Sequence, residues 1–367
     1  MKQSKRLFAL LLTLAMTLGM LTACGGGNSD TSSEGDGGES SGSNELTVYT
    51  AFPEAEVAYY FNAFEEATGI KVNALRLSAG EMLTRVAAEK DNPQASLMFG
   101  GSTDNYIAAS NQGLLEAYQS PELSNTPENY LDPDGVWNPI YVGAIAFACN
   151  KDWFADKGYD YPTSWDDLLD PKYQDMIIMA HPATSGTAYT VLATLIQLKG
   201  EDAVWDYLKE LDKNMSQYTK SGSGPSKMVG PGECVIGIGF LHDGIYQILQ
   251  GYDNIQLIVP EDGTSFEVGA TAIFNGCAHP NAAKLWIEYA LSPDCVDHAK
   301  ENGSYQFLVL SNATQPEEAT KFGLDMNNTI DYDFEDAKEN SAKYVEDFFA
   351  ALGSSSDSAD SSRFLTE

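Results

Sequence analysis

The chain has 367 residues, with 21 Lys and Arg against 53 Asp and Glu, and a formal charge of −32. At 43% hydrophobic and 11% aromatic it can bury the cores of two domains of roughly 100–200 residues each, which excludes wholesale disorder. The acidic balance excludes a nucleic-acid binder and a broad face for anionic membranes, since both surfaces are held by Lys and Arg clusters.

In chain order, residues 1–23 read as a signal segment. Lys2, Lys5 and Arg6 form its positive start, and Leu7 to Met20 is apolar and uncharged. Leu21-Thr22-Ala23-Cys24 then resembles a bacterial lipobox, which implies cleavage before Cys24 and a diacylglycerol on it. Removing the segment takes away three basic residues and no acid, so the mature chain is more acidic still. The run to Asn44 is Gly, Ser, Thr, Asn, Asp and Glu, and residues 24–44 are expected to be the lipidated Cys and a flexible tether. The expected location is extracytoplasmic, lipid-anchored to the cell membrane.

The body opens with a strand at Leu46–Tyr49 and a helical period at Val57, Tyr60, Phe61, Phe64 and Ala67, stopped at Gly69. A strand at Ile70–Ala74 follows. Ser78 with Glu81 forms a capping box that opens a helix ending near Asp91, and Ala95–Phe99 suits a buried strand. This alternation predicts a parallel sheet covered by helices. A second block follows, with strands at Ile140–Cys149, Met176–Met179, Val235–Phe240, Ile255–Val259 and Ala270–Phe274. Its helices are predicted at Ser164–Leu169, Thr187–Leu198, Asp202–Leu211 and Asn281–Leu291. Ser221–Ser226 reads as a plain loop, and residues 353–367 as a frayed tail. Trp137, Trp153, Trp165, Trp205 and Trp286 are expected in the cores. Cys149, Cys234, Cys277 and Cys295 allow zero, one or two bridges, and no cysteine spacing suits structural zinc.

Several blocks together resemble one family. Leu46–Thr50 followed by Phe64–Val72 is similar to the N-terminal signature of the extracellular solute-binding proteins of bacterial ABC importers, in the branch of ferric-ion, sugar-phosphate and phosphonate binders. Ala95–Ser102, Gly113–Glu116, Gly232–Phe240 and Ala270–Phe274 resemble further blocks of that branch, over about residues 45–310. The resemblance implies an α/β, two-lobed periplasmic-binding-protein-like (type II) clamp with its ligand cleft between the lobes. Residues 45–145 with about 268–312 would form one lobe. Residues 146–267 with part of about 313–352 would form the other.

The resemblance also implies site residues. Ferric members carry adjacent tyrosines where this chain has His242-Asp243, and a His where it has Phe52-Pro53-Glu54. Tyr59-Tyr60 lie on the first predicted helix instead. Leu241-His242-Asp243 resembles the sugar-phosphate branch, in which the His, the Asp and a later Glu, here Glu267, contact sugar hydroxyls. Carboxylates accept hydroxyl hydrogens well and repel phosphate. The anion end is therefore expected at helix starts, from Ser78, Gly101, Ser102, Thr184, Ser185, Gly186 and Thr187. Arg76 and Lys227 are read as solvated.

No resident metal and no cofactor is implied. The implied partners are a small anionic solute and the membrane permease subunits, with the chain itself a monomer. A secreted hydrolase using His242 and Asp243 is the rival reading, but no G-x-S-x-G or H-E-x-x-H motif supports an enzyme. The solute class stays open among sugar phosphate, phosphonate and ferric ion, with hexose phosphate foremost.

Overall fold

A computed structural model describes residues 44–322 and 329–352. Cys24, the tether before Asn44 and the tail 353–367 lie outside the described residues. The chain begins β1 (Glu45–Thr50), α1 (Glu54–Thr68), β2 (Lys71–Arg76), α2 (Ala79–Ala88), β3 (Leu97–Ser102) and α3 (Thr103–Asn111). It continues with β4 (Leu115–Glu116), the long β5 (Asn138–Asn150), α4 (Lys151–Lys157), β6 (Ile177–Ala180), α5 (Gly186–Lys199) and α6 (Glu201–Asp212). Next come β7 (Met215–Thr219), α7 (Gly224–Val229), β8 (Ile236–Phe240), α8 (Leu241–Leu249), β9 (Ile255–Ile258) and β10 (Phe266–Phe274). The last elements are α9 (Pro280–Ala290), α10 (Pro293–Ala299), β11 (Phe307–Leu308), α11 (Glu317–Lys321), α12 (Phe334–Glu339) and α13 (Ser341–Leu352).

The strands run in the order β2-β1-β3-β10-β5-β8-β6-β7. β1, β2 and β3 are parallel, as are β6, β7 and β8, while β10 and β5 run antiparallel to their neighbours. β5 joins the two halves. Its residues up to Ala144 pair with β10 and β11, and from Ile145 onward it pairs with β8 and β9. The expected boundary at 145/146 therefore falls within β5, and that at 267/268 falls within β10.

Each half has its own apolar core. One gathers Leu46, Val48, Phe64, Leu97, Phe99 and Trp286, and the other Phe147, Trp165, Ile177, Leu192, Val204 and Phe348, all fully buried or nearly so. α1 forms because Val57, Tyr60, Phe61 and Phe64 recur on one face, and Gly69 ends it at φ 74° with its N–H on Glu65 O. Tyr60 is buried in that core and Tyr59 packs at its edge, as expected of helix residues. Every residue of α5 from Ala188 to Ile196 is buried, so the helix lies deep in its half.

The structure departs from the sequence reading in several places. α2 ends at Ala88 rather than near Asp91, where Glu89 closes it. α3, β7, α12 and α13 were not assigned from the sequence. α3 is short and weakly amphipathic, and Leu241–Leu249, unassigned beyond the strand that ends at Phe240, forms α8. β10 begins four residues earlier than Ala270, which puts Glu267 on a strand. Cys149, Cys234, Cys277 and Cys295 are free and buried.

Candidate functional site

A cavity of about 70 Å³ opens between the two halves. Its walls are the points where strands end and helices begin. Pro53 precedes α1 after β1, Ser78 and Ala79 start α2 after β2, and Ser102 starts α3 after β3. From the other half, Ser185, Gly186 and Thr187 start α5 after β6, and His242 and Asp243 lie in the first turn of α8 after β8. The N-termini of these helices bring unsatisfied N–H groups and positive partial charge to one place, at the carboxyl ends of the strands.

Across the cavity the halves touch. A Cβ on Gly186 would lie 3.2 Å from Asn105 Nδ2 and 3.3 Å from Ala79 Cβ. Arg76 Nη2 donates to Ser221 Oγ at 2.7 Å, and Lys220 pairs with Glu81. Arg76 lines the cavity, which corrects its reading as a solvated residue. Lys227 is exposed and does not line it. Ser221–Ser226 is not a plain loop either. Ser221, Gly222 and Ser223 line the cavity, and Gly224 opens α7. α7 is only six residues long and opens on Gly224-Pro225, a pair that reads as a turn in the sequence.

The hydroxyls differ in what they can offer. Ser78 Oγ donates to Glu81 Oε2 at 2.8 Å while the Ser78 N–H donates to the same oxygen at 3.1 Å. Ser102 Oγ donates to Asp104 Oδ2 at 3.0 Å. Both serines line the cavity with their single hydrogens engaged, and Ser102 Oγ also accepts from the Asp104 N–H. Ser185 Oγ accepts from Ala188 N at 3.3 Å and keeps its hydrogen. Thr184 does not line the cavity. Its hydroxyl donates to His181 O at 3.3 Å and Lys220 O at 3.0 Å, so it closes the turn before α5 instead. Gly101 lines the wall beside Ser102. Backbone N–H groups, Ser185, Thr187 and Arg76 therefore line the cavity as groups that can donate hydrogen bonds.

A second group is built around β5. Glu267 on β10 pairs with Gly143, and Tyr141 Oη donates to Glu267 Oε1 at 3.0 Å. The His242 ring stacks on Phe240 at 5.3 Å and meets Tyr141 edge-on at 6.0 Å. His242 and Asp243 are held in the first turn of α8, for which Phe240 is the N-cap residue. Burial pushes the His242 imidazole down to about 3, so it is neutral at pH 7. Burial pushes Asp243 up to about 7, opposed by Lys227 and Arg76. Burial raises Glu267 well above the usual carboxylate range, and the Tyr141 hydrogen bond offsets only part of that. Near neutral pH this group offers a neutral imidazole and carboxyls that can both donate and accept.

Tyr141, Phe52, Phe240 and Gln306 also line the cavity, and none carried a signal in the sequence beyond its apolar strand or its polarity. None of the five tryptophans does. Trp137, Trp165 and Trp286 are buried, and Trp153 and Trp205 pack at the edge of a core. Among the described residues no cluster of metal-ligating side chains occurs, and no helix is long and apolar enough to cross a membrane.

A model of the family "Bacterial extracellular solute-binding protein" matches residues 102–328. An uncharacterized protein of Haemophilus influenzae is 36% identical over 303 residues, 81% of this chain and 87% of that one. A Salmonella typhimurium protein named "Putative 2-aminoethylphosphonate-binding periplasmic protein" is 26% identical over 289 residues, 75% of this chain and 82% of its own. The structure of the periplasmic binding protein AfuA from Actinobacillus pleuropneumoniae, with fructose-6-phosphate bound, superposes with a TM-score of 0.80 at 34% identity, covering 86% of this chain and 99% of that one. The two-lobed periplasmic-binding architecture expected from the sequence is thus the fold of this chain, and the chain belongs to the bacterial extracellular solute-binding protein family.

Proposed function

We propose that this chain captures a phosphorylated small solute, foremost a hexose phosphate, outside the cytoplasmic membrane and hands it to the permease of an ABC importer. The observation that carries this reading is the pairing of two unlike groups in one cavity. Helix N-termini with Arg76 suit a phosphate, and His242, Asp243 and Glu267 suit hydroxyls. Gly101, Ser185, Gly186 and Thr187 are assigned to the phosphate group, with Ser78 and Ser102 accepting from ligand hydroxyls or bridging water rather than donating. Likeness to a protein solved with fructose-6-phosphate supports the choice of sugar phosphate. Likeness to the Salmonella protein favours a second reading, a phosphonate. The chain is read as a binder and not an enzyme, monomeric, and anchored through Cys24. The division of the chain into lobes is that of the sequence reading, shifted to the switch of β5 at Ile145.

The test is a thermal-shift panel on the purified protein with glucose 6-phosphate, glucose, inorganic phosphate, 2-aminoethylphosphonate and ferric citrate. A ligand at about 100 times its Kd stabilises by roughly 2.7 kcal/mol. A shift with the sugar phosphate but not with glucose supports the reading. A shift with 2-aminoethylphosphonate alone supports the second, and a shift with iron alone overturns both.

A further inference from the structure

We propose that Gln306 contacts the solute beside His242 and Glu267, and that Glu56 is the positioning residue that sets the Gln306 amide; this rests on the sugar-phosphate reading. Gln306 is buried and lines the cavity. It directly precedes Phe307, which pairs with Val142 on β5. That places it beside Gly143, whose other neighbour is Glu267 and whose Cβ position is taken up by the His242 ring. Three polar side chains thus gather around one glycine.

Glu56 reaches the same place from the first turn of α1. It is 3% exposed, and Oε2 accepts from Ser304 Oγ at 2.7 Å and from Gln306 Nε2 at 3.4 Å. Both bonds fall on one oxygen, so they hold whether or not Oε1 carries a proton. A buried acid held by two neutral donors costs stability, and burial together with Asp243 pushes Glu56 up to about 8. Its return is a fixed amide. With the nitrogen end on Glu56, the carbonyl end of Gln306 remains to accept a hydrogen bond, which suits a sugar hydroxyl and not a phosphate oxygen. Glu56 and Gln306 therefore act on the sugar and not on the anion.

The experiment is calorimetric titration of the full chain and its variants with glucose 6-phosphate and with inorganic phosphate. Gln306→Ala and Glu56→Leu are expected to weaken glucose 6-phosphate about tenfold and to leave phosphate within about twofold. Glu56→Gln keeps an acceptor at the same place and is expected to stay within about threefold of wild type. Unchanged glucose 6-phosphate affinity in Gln306→Ala overturns the contact. Parallel loss of both ligands means a role in packing only and overturns it too. Equal loss in Glu56→Gln and Glu56→Leu overturns the positioning role. If Glu56→Leu does not fold, Gln306→Ala and Glu56→Gln decide. A wild-type protein that binds glucose 6-phosphate no better than phosphate overturns the sugar-phosphate reading and this inference together, whereas failure of the variants alone overturns only this inference.

Discussion

The His242 ring rests against the backbone of Gly143, so that a Cβ on that glycine would stand 2.7 Å from His242 Cε1 and 3.0 Å from Nδ1. No other residue type leaves room for the imidazole at that height. Gly143→Ala should force the ring out of its stack on Phe240, at a cost of about 1–3 kcal/mol for overpacking. The expected result is a lowered melting temperature and weaker sugar-phosphate binding, with phosphate binding retained. Calorimetric titration with both ligands checks it, and an unchanged affinity for the sugar phosphate would show that the ring can shift without loss.

His242→Ala and Glu267→Ala remove the imidazole and the carboxyl from the group around β5. Each is expected to weaken glucose 6-phosphate by at least tenfold, roughly 1.4 kcal/mol. Full affinity in both variants, measured by titration, would sink the assignment of these residues while leaving the family untouched.

Arg76 is the cation lining the cavity, and it reaches Ser221 across the two halves. Arg76→Met removes a charge-assisted donor, worth about 1.5–3 kcal/mol, or about tenfold and more in affinity. The loss should apply to sugar phosphate and inorganic phosphate alike, and the variant's affinity should depend less on salt. Titrations at two ionic strengths would check this. A variant that keeps wild-type salt dependence would return Arg76 to a solvated role.

Asp243 and Glu56 are both pushed up by burial, to about 7 and about 8. The folded protein therefore holds protons that the unfolded chain has already released. Stability should fall as pH rises from about 6.5 to about 8, the reverse of what salt-bridged carboxylates produce. Below about 6.5 the neutral His242 works the other way, because the unfolded histidine takes a proton that the buried one does not. Urea midpoints of the ligand-free protein across this range would show the slope, and Asp243→Asn should flatten it. A midpoint that rises steadily from pH 6.5 to 8 would contradict these assignments.

Much of the fold was legible because its signals are local. Hydrophobic period marked α1, the Ser78-Glu81 box marked α2, and β-rich runs marked β5 and β8. Ser185, Gly186, Thr187, His242, Asp243 and Glu267 were also visible, because each stands at a strand-to-helix switch or in a family block. Thr184 stands outside the cavity lining while its neighbours line it, since adjacent hydroxyls in one turn look alike in a sequence and only the fold decides which of them faces the cavity.

The sequence by itself determined the class of the molecule: its alternation of strand and helix, its two apolar cores and its acid-rich surface all follow from residue type and short-range spacing. The tertiary structure alone decided the chemistry of the cavity. Arg76 meets Ser221 over 145 positions and Ser304 meets Glu56 over 248, and no local pattern encodes such a pairing. The pairings also settle protonation and donor direction. Whether a serine gives or accepts a hydrogen bond, and whether a carboxyl is charged, depends on which neighbours share its burial, and that is fixed only when the two halves of the chain come together.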